Sequence, residues 1–291
     1  MAASGWGRRI KYRLEYIGFR ALAGLFGALP LETASDVSGW LWRKAAPRLS
    51  RHKRALRHLQ LAFPEKRPSE IETIALGMWD NLGRTFAESF HVAEFAQNGR
   101  IRAQAEASIS AFAKGGGCVI CLPHMANWEV NSPAFATRGF HLSNIYQPLK
   151  NPLVDAYVLS LRLPWFSGGL FDKSASTPRR AMRHVRDGGA LFIASDLRNA
   201  NGISVSFFGR PAPSTPFPAI VAYSMKGRLA VACMVREPGV RFGLKFEELA
   251  LETGPDREAN IAITTAKIQA VLERFIRANP EQWMWAHRRW G

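Results

Sequence analysis

From Gly115 onward, short apolar runs alternate with stretches of helical period, and this alternation restricts the fold more than any other feature. The runs at 118–122, 142–146, 190–194, 229–235 and 241–246 have the length of strands. Between them, 127–138, 152–163, 177–187 and 215–226 read as helices, and 257–278 as a long final one. Such alternation predicts an α/β domain, a central mostly parallel or mixed sheet flanked by helices. One integrated core is expected over 101–291. Residues 1–100 read as helices only, at 8–29, 33–46, 51–62 and 69–95, the last opened by a capping box of Ser69 and Glu72. A chain of 291 residues buries enough surface to fold without a metal or disulfide.

Charge narrows the partners. Lys and Arg number 39 against 23 Asp and Glu, a net charge of +16. Nucleic acid, an anionic membrane surface, or an acidic substrate or carrier protein would suit this balance. Residues 1–67 hold 14 of the basic and four of the acidic side chains. The N-terminal part therefore reads as a basic, helical, membrane-associating region. No window offers the roughly 18 apolar residues of a spanning helix; Arg20 interrupts the best one, and no small-x-small cleavage site follows it. An uncleaved helix lying in the membrane interface is expected, with Leu22, Leu25, Phe26 and Leu29 on the apolar side. The alternative is a soluble helix packed on the core. The basic series from Arg43 to Arg57 reads as a membrane or carrier-protein contact rather than a merely solvated face. No zinc finger or RNP motif is present, so nucleic acid is not expected.

Cys118, Cys121 and Cys233 give no disulfide framework. Cys118 and Cys121 fall in one strand, where positions three apart face opposite sides, so buried thiols are expected rather than a metal or redox pair. No metal site is expected.

The sharpest chemical signal is His124-Met125-Ala126-Asn127-Trp128-Glu129, directly after the first strand. In open α/β sheets, sites gather beyond the carboxyl ends of strands. A histidine there can serve as general base near neutral pH, and Glu129 can hold its other nitrogen, as the acid does in a Ser-His-Asp triad. No serine or cysteine nucleophile stands beside the pair, which suits direct activation of a substrate hydroxyl. Spacing alone favours a plainer reading, a histidine capping a helix and a glutamate at its positive end.

The surroundings shift that balance. His124-x-x-Asn127-Trp128-Glu129 resembles the H-x4-D/E block of the glycerolipid acyltransferase superfamily, and more closely that of the bacterial lipid A late (lauroyl/myristoyl) acyltransferases. Four further stretches resemble that family in order: Tyr146-Gln147-Pro148 through Asn151-Pro152, the strand end Ala194-Ser195-Asp196, Phe207-Phe208-Gly209-Arg210-Pro211, and Gln282-Trp283-Met284-Trp285-Ala286-His287-Arg288-Arg289-Trp290. Two departures stand out: Gln147 where the family usually has Arg, and Leu197 where Gln commonly follows the acidic residue.

The resemblance implies a glycerolipid-acyltransferase-like fold and an acyltransferase. It would move a fatty acyl chain from acyl-carrier protein to a hydroxyl of a phosphorylated lipid A precursor at the cytoplasmic face of the inner membrane. Another lipid acceptor, such as a glycerophosphate, ornithine lipid or glycolipid, is the alternative. His124 would be the base and Glu129 its partner, with no cofactor. Arg162, about three helical turns beyond Asn151-Pro152, would contact an anion or oxyanion, or else lie on a solvated helix face. Asp196 is expected to order the site, Arg210 either to meet a phosphate or to stand in water as a turn arginine, and Asn127 and Asn151 to bind substrate, with helix capping the stronger reading for Asn127. His287 with Trp283, Trp285 and Trp290 is expected to lock the C-terminal segment by packing.

Overall fold

The computed structural model describes residues 3–97 and 99–290. Five helices open the chain: α1 (Ala3–Ala28), α2 (Leu31–Ala45), α3 (Ser50–Ala62), α4 (Pro68–Glu88) and α5 (Val92–Gln97). Then follow β1 (Ile101–Ala103), α6 (Glu106–Lys114), β2 (Cys118–Leu122), α7 (Asn131–Ala136), β3 (Leu142–Ile145), α8 (Pro152–Arg162), β4 (Gly169–Phe171), α9 (Thr177–Arg186) and β5 (Ala190–Ala194). The chain continues with β6 (Ile203–Phe207), β7 (Arg210–Ser214), α10 (Phe217–Met225), β8 (Arg228–Glu237), β9 (Arg241–Leu249) and α11 (Arg257–Ala278).

Seven strands form one sheet in the order β1-β9-β8-β2-β5-β3-β4, parallel throughout except for the β8–β9 hairpin. The mostly parallel α/β architecture expected from the alternation is present. All five residues of β2 are buried, because helices cover both faces of the sheet. Val119 and Cys121 pack with Leu191, Ile193 and Val231 on one face; Cys118, Ile120 and Leu122 pack with Phe192 and Ala230 on the other. The two cysteines thus point to opposite faces. Burial pushes each of the three thiols up to about 12, far from reactive.

The N-terminal helices share this core. Ala55 and Leu59 of α3 and Ile71, Met78 and Trp79 of α4 pack in the same cluster as Val119, Trp283 and Trp285. Helices α2 and α4 approach closely at Gly83, where a Cβ would lie 2.5 Å from the Ser38 carbonyl oxygen. Helix α4 starts one residue earlier than its sequence suggests. Pro68 takes the first helical position, as its fixed φ favours. Arg67 becomes the cap, with its amide donating to Glu70 at 3.1 Å. Ser69 lies inside the helix, and Glu72 meets His52 instead, at 3.2 Å.

Helix α1 turns Phe26 inward, 5% exposed, against Phe86 at 6.0 Å, and Leu29 is partly buried beside it. Its outward stripe is Trp6, Ile10, Leu14, Ile17 and Leu25. The expected apolar face is therefore split: Leu22 and Leu25 are outside, Phe26 and Leu29 inside. Among the described residues, no helix is long and apolar enough to cross a membrane.

Candidate active site

The centre is created by strand register. Strands β2 and β5 are parallel neighbours with Leu122 opposite Ala194. Two residues past each of these, the chain reaches His124 and Asp196, which the register brings side by side. The His124 ring Nδ1 lies 2.9 Å from Asp196 Oδ1, and the His124 backbone amide donates to Asp196 Oδ2 at 2.8 Å. Trp283 Nε1–H also donates to Oδ2, at 2.7 Å. Asp196 is fully buried, whereas the His124 side chain keeps 22% of its surface open. Burial alone would raise the Asp196 carboxyl, but the His124 charge and these three donors outweigh it and hold it at about 2. A permanent carboxylate on Nδ1 fixes the tautomer with Nδ1–H donating and leaves Nε2 as the basic nitrogen.

Burial works against protonation of His124, but the adjacent Asp196 carboxylate prevails, with Glu129 adding to it, and the imidazole sits above its ordinary value. His287, its ring 5.9 Å away, is pushed down by burial and by the charge of His124. Of two facing histidines, His124 is the one that takes the proton.

The contact expected between His124 and Glu129 is replaced by the Asp196 contact. Ala126 adopts a positive φ of 49°, and the 3-10 turn Trp128–Val130 follows. Glu129 is engaged by Arg162 at the C-terminal end of α8, through Nε at 2.8 Å and Nη2 at 2.5 Å. Trp128 Nε1–H donates to Glu129 Oε1 at 3.0 Å, and the Trp128 ring packs edge-on against His124 at 5.4 Å. Glu129 and Arg162 also border a mainly apolar cavity of 170 Å³ lined by Phe19, Phe86, Phe90, Val158, Leu161 and Trp165. A fixed guanidinium therefore borders an apolar recess, and Trp128 connects the Glu129 that holds it to the base.

Asn127 is buried and caps the turn, its Oδ1 accepting from the Glu129 amide at 3.1 Å. Its Nδ2 donates to Glu88 Oε2 at 2.9 Å. Glu88, fully buried, also accepts from Ser35 at 2.7 Å and from both terminal nitrogens of Arg236. This carboxylate joins α2, α4, β8 and the His124 loop. Nothing in the local sequence around Glu88 distinguishes it from a surface residue of a helix.

Asn151 sits at the opposite end of α8 from Arg162. It caps the helix and donates to Tyr12 O at 2.9 Å and Glu15 at 3.0 Å, fastening α1 to α8. Arg210 lines a separate open depression of 790 Å³ with Arg57, Leu61 and Trp290. Trp283, Trp285 and Trp290 are buried, as expected of a packing lock. Unforeseen was the direct bond of Trp283 to Asp196. Among the described residues, no group of three or more His, Cys, Asp or Glu is placed to hold a metal ion.

The chain belongs to the bacterial lipid A biosynthesis acyltransferase family, whose model matches residues 7–291. It is similar to the lipid A biosynthesis acyltransferase of Haemophilus influenzae, at 22% identity over 285 residues that cover 94% of this chain and 82% of that protein.

Proposed function

We propose that the protein transfers a fatty acyl chain from acyl-carrier protein to a hydroxyl of a phosphorylated lipid A precursor, working at the cytoplasmic face of the inner membrane. The pairing of His124 with Asp196 beside the Arg162-bordered apolar cavity carries this reading. His124 Nε2 takes the proton of the acceptor hydroxyl as its oxygen attacks the thioester carbonyl. The tetrahedral intermediate collapses, the C–S bond breaks, and the imidazolium returns the proton to the departing sulfur. An ester and a free thiol result. Asp196 holds the ring and its positive charge through the step. Arg162, held by Glu129, faces the developing oxyanion; one such donor contributes about 2.7–4 kcal/mol in measured cases. The apolar cavity receives the start of the acyl chain.

Support for a membrane setting comes from the outward stripe of α1, with Trp6 71%, Leu14 65% and Ile17 63% exposed. Val37, Trp40 and Leu41 of α2 are also exposed. Apolar patches of this kind mark interaction surfaces.

The test is acyl transfer from a panel of acyl-carrier-protein thioesters to a tetra-acylated lipid A precursor, for wild type and His124→Ala. Transfer by wild type alone is expected. Full activity in His124→Ala would overturn the assignment of the base. Transfer by wild type only to a glycerophosphate, ornithine lipid or glycolipid would replace the acceptor. Gln147, exposed in the structure, would then be the first position to examine.

A further inference from the structure

The positive charge is concentrated in a segment that has no acidic residue of its own. From Val37 to Pro64 the chain has no carboxylate, while it has Arg43, Lys44, Arg48, Arg51, Lys53, Arg54 and Arg57. Some basic side chains elsewhere find partners, such as Arg138 with Glu106, Arg228 with Glu248, Arg274 with Glu247 and Arg277 with Glu273. Arg51, Lys53, Arg54 and Arg57 form no ion pair among the described residues, nor do Arg210 and Arg288.

Helix α3 is two-sided. His52, Ala55, His58, Leu59 and Ala62 are buried, and Arg51, Lys53 and Arg57 are exposed. The buried side is fixed to the segment that also frames His124. His58 Nδ1 lies 3.0 Å from the Trp285 carbonyl oxygen, and Arg54 Nη1 donates to the Ala286 carbonyl oxygen at 3.2 Å. One residue on, His287 stands against the His124 ring, where Arg51 and Arg54 are close enough to repel its proton. Arg57 borders the open depression of 790 Å³, with exposed Arg210 also on its wall. The stripe Arg51-Arg54-Arg57, at three-residue spacing on one helix side, thus borders the 285–287 segment that stands against the base.

We propose that this stripe, with Arg210 across the depression, is the docking surface for the donor: a small acidic carrier protein presenting its acyl chain on a phosphopantetheine thioester. The inference rests on the acyl-transfer reading given above. Charge complementarity selects this occupant. An acidic protein is steered to an unpaired cationic face, and that face lies where a tethered thioester must arrive. A lipid surface fits it less well. Most exposed apolar side chains of the N-terminal part are on α1 and α2; Leu49, which caps α3, is exposed as well, but within α3 the exposed side chains are Ser50, the cations and Gln60. A second basic helix serves as a control. Helix α9 exposes Arg179, Arg180 and Arg183 but packs on β3, β4, β5 and α10.

The test compares two donors of the same acyl group, acyl-carrier protein and the small thioester acyl-pantetheine, across wild type, Arg51→Glu/Arg57→Glu and Arg179→Glu/Arg183→Glu. The α3 pair is expected to raise KM for the carrier about 10–100-fold at low salt, an effect that shrinks as salt is added. Its kcat, its turnover of acyl-pantetheine and its sedimentation with anionic vesicles stay at wild-type levels. The α9 pair, with the same change in charge, leaves the carrier KM unchanged. An unchanged carrier KM in the α3 variant, an equal loss with both donors, an equal effect of the α9 pair, or lost vesicle binding with an intact KM each overturns the proposal. If wild type uses acyl-pantetheine as efficiently as the carrier, docking alone fails. If it acylates the acceptor from neither thioester, the acyl-transfer reading fails with it.

Discussion

Asp196 accepts two hydrogen bonds from His124, one from the ring at 2.9 Å and one from the backbone amide at 2.8 Å. The double contact sets both the position and the orientation of the imidazole. Asp196→Asn keeps the shape and removes the charge, so kcat should fall about 10²–10⁴-fold with the fold intact. The pH profile gives a second check. His124 must be neutral to act as a base, and its proton is held above the ordinary value of 6.5. Activity of wild type therefore rises with pH through an acid limb above 6.5. In Asp196→Asn that limb moves to lower pH while the plateau drops. A kcat/KM profile across pH 5–9 for both proteins measures it.

Glu129 and Arg162 should act as one unit. Their side chains are 14% and 27% exposed, and the pair is bidentate. Glu129→Gln frees the guanidinium, and Arg162→Ala removes it. Each should lower kcat about 10²-fold or more, on the scale of a lost oxyanion donor. The double variant should be little worse than either alone. A double-mutant cycle in kcat reads this directly.

Glu88→Gln should destabilise the whole protein, because it leaves Arg236 without its countercharge; about 3 kcal/mol is the scale for one lost partner of a buried pair. The sign with pH follows from the carboxyl. Burial would raise it, but the Arg236 charge and the surrounding donors leave it below the ordinary 4.5. Its stabilisation is present above pH 4.5 and is lost as pH falls through the lower folded value. Asp196, held at about 2, behaves alike over a lower range. Denaturant midpoints should fall steeply below about pH 4.5 in wild type and less steeply in Glu88→Gln.

Leu14→Asp/Ile17→Asp places two charges on the outward stripe of α1, away from the core. Sedimentation with anionic vesicles should drop severalfold, with the thermal transition unchanged. Loss of the thermal transition instead would mean that the stripe packs against protein.

The sheet was readable in the sequence because β2, β5 and β8 are continuous apolar runs, and so was the placing of His124 and Asp196 at strand ends. Their pairing was not readable. It depends on β2 and β5 being neighbours with Leu122 opposite Ala194, a long-range register that spacing does not encode. Glu129 looked like the partner because it is five residues from His124; the turn at Ala126 and the arrival of Arg162 from α8 decide otherwise. Strand β7 is hidden in the sequence because Pro211 and Pro213 interrupt its run. The three-residue strands β1 and β4 are too short to show a period. On α1, helical periodicity marked an apolar face but not which part the Phe86–Phe90 cluster would claim.

Ring, carboxylate and indole come from positions 72 and 87 residues apart along the chain. No local segment, however well formed, contains a working centre. A folding intermediate with its helices and even its β2–β5 pair in place would still lack the Trp283 bond until the 280–290 segment docks. Catalytic competence should therefore appear late in refolding, after secondary structure, so that turnover reports completion of the native topology rather than collapse.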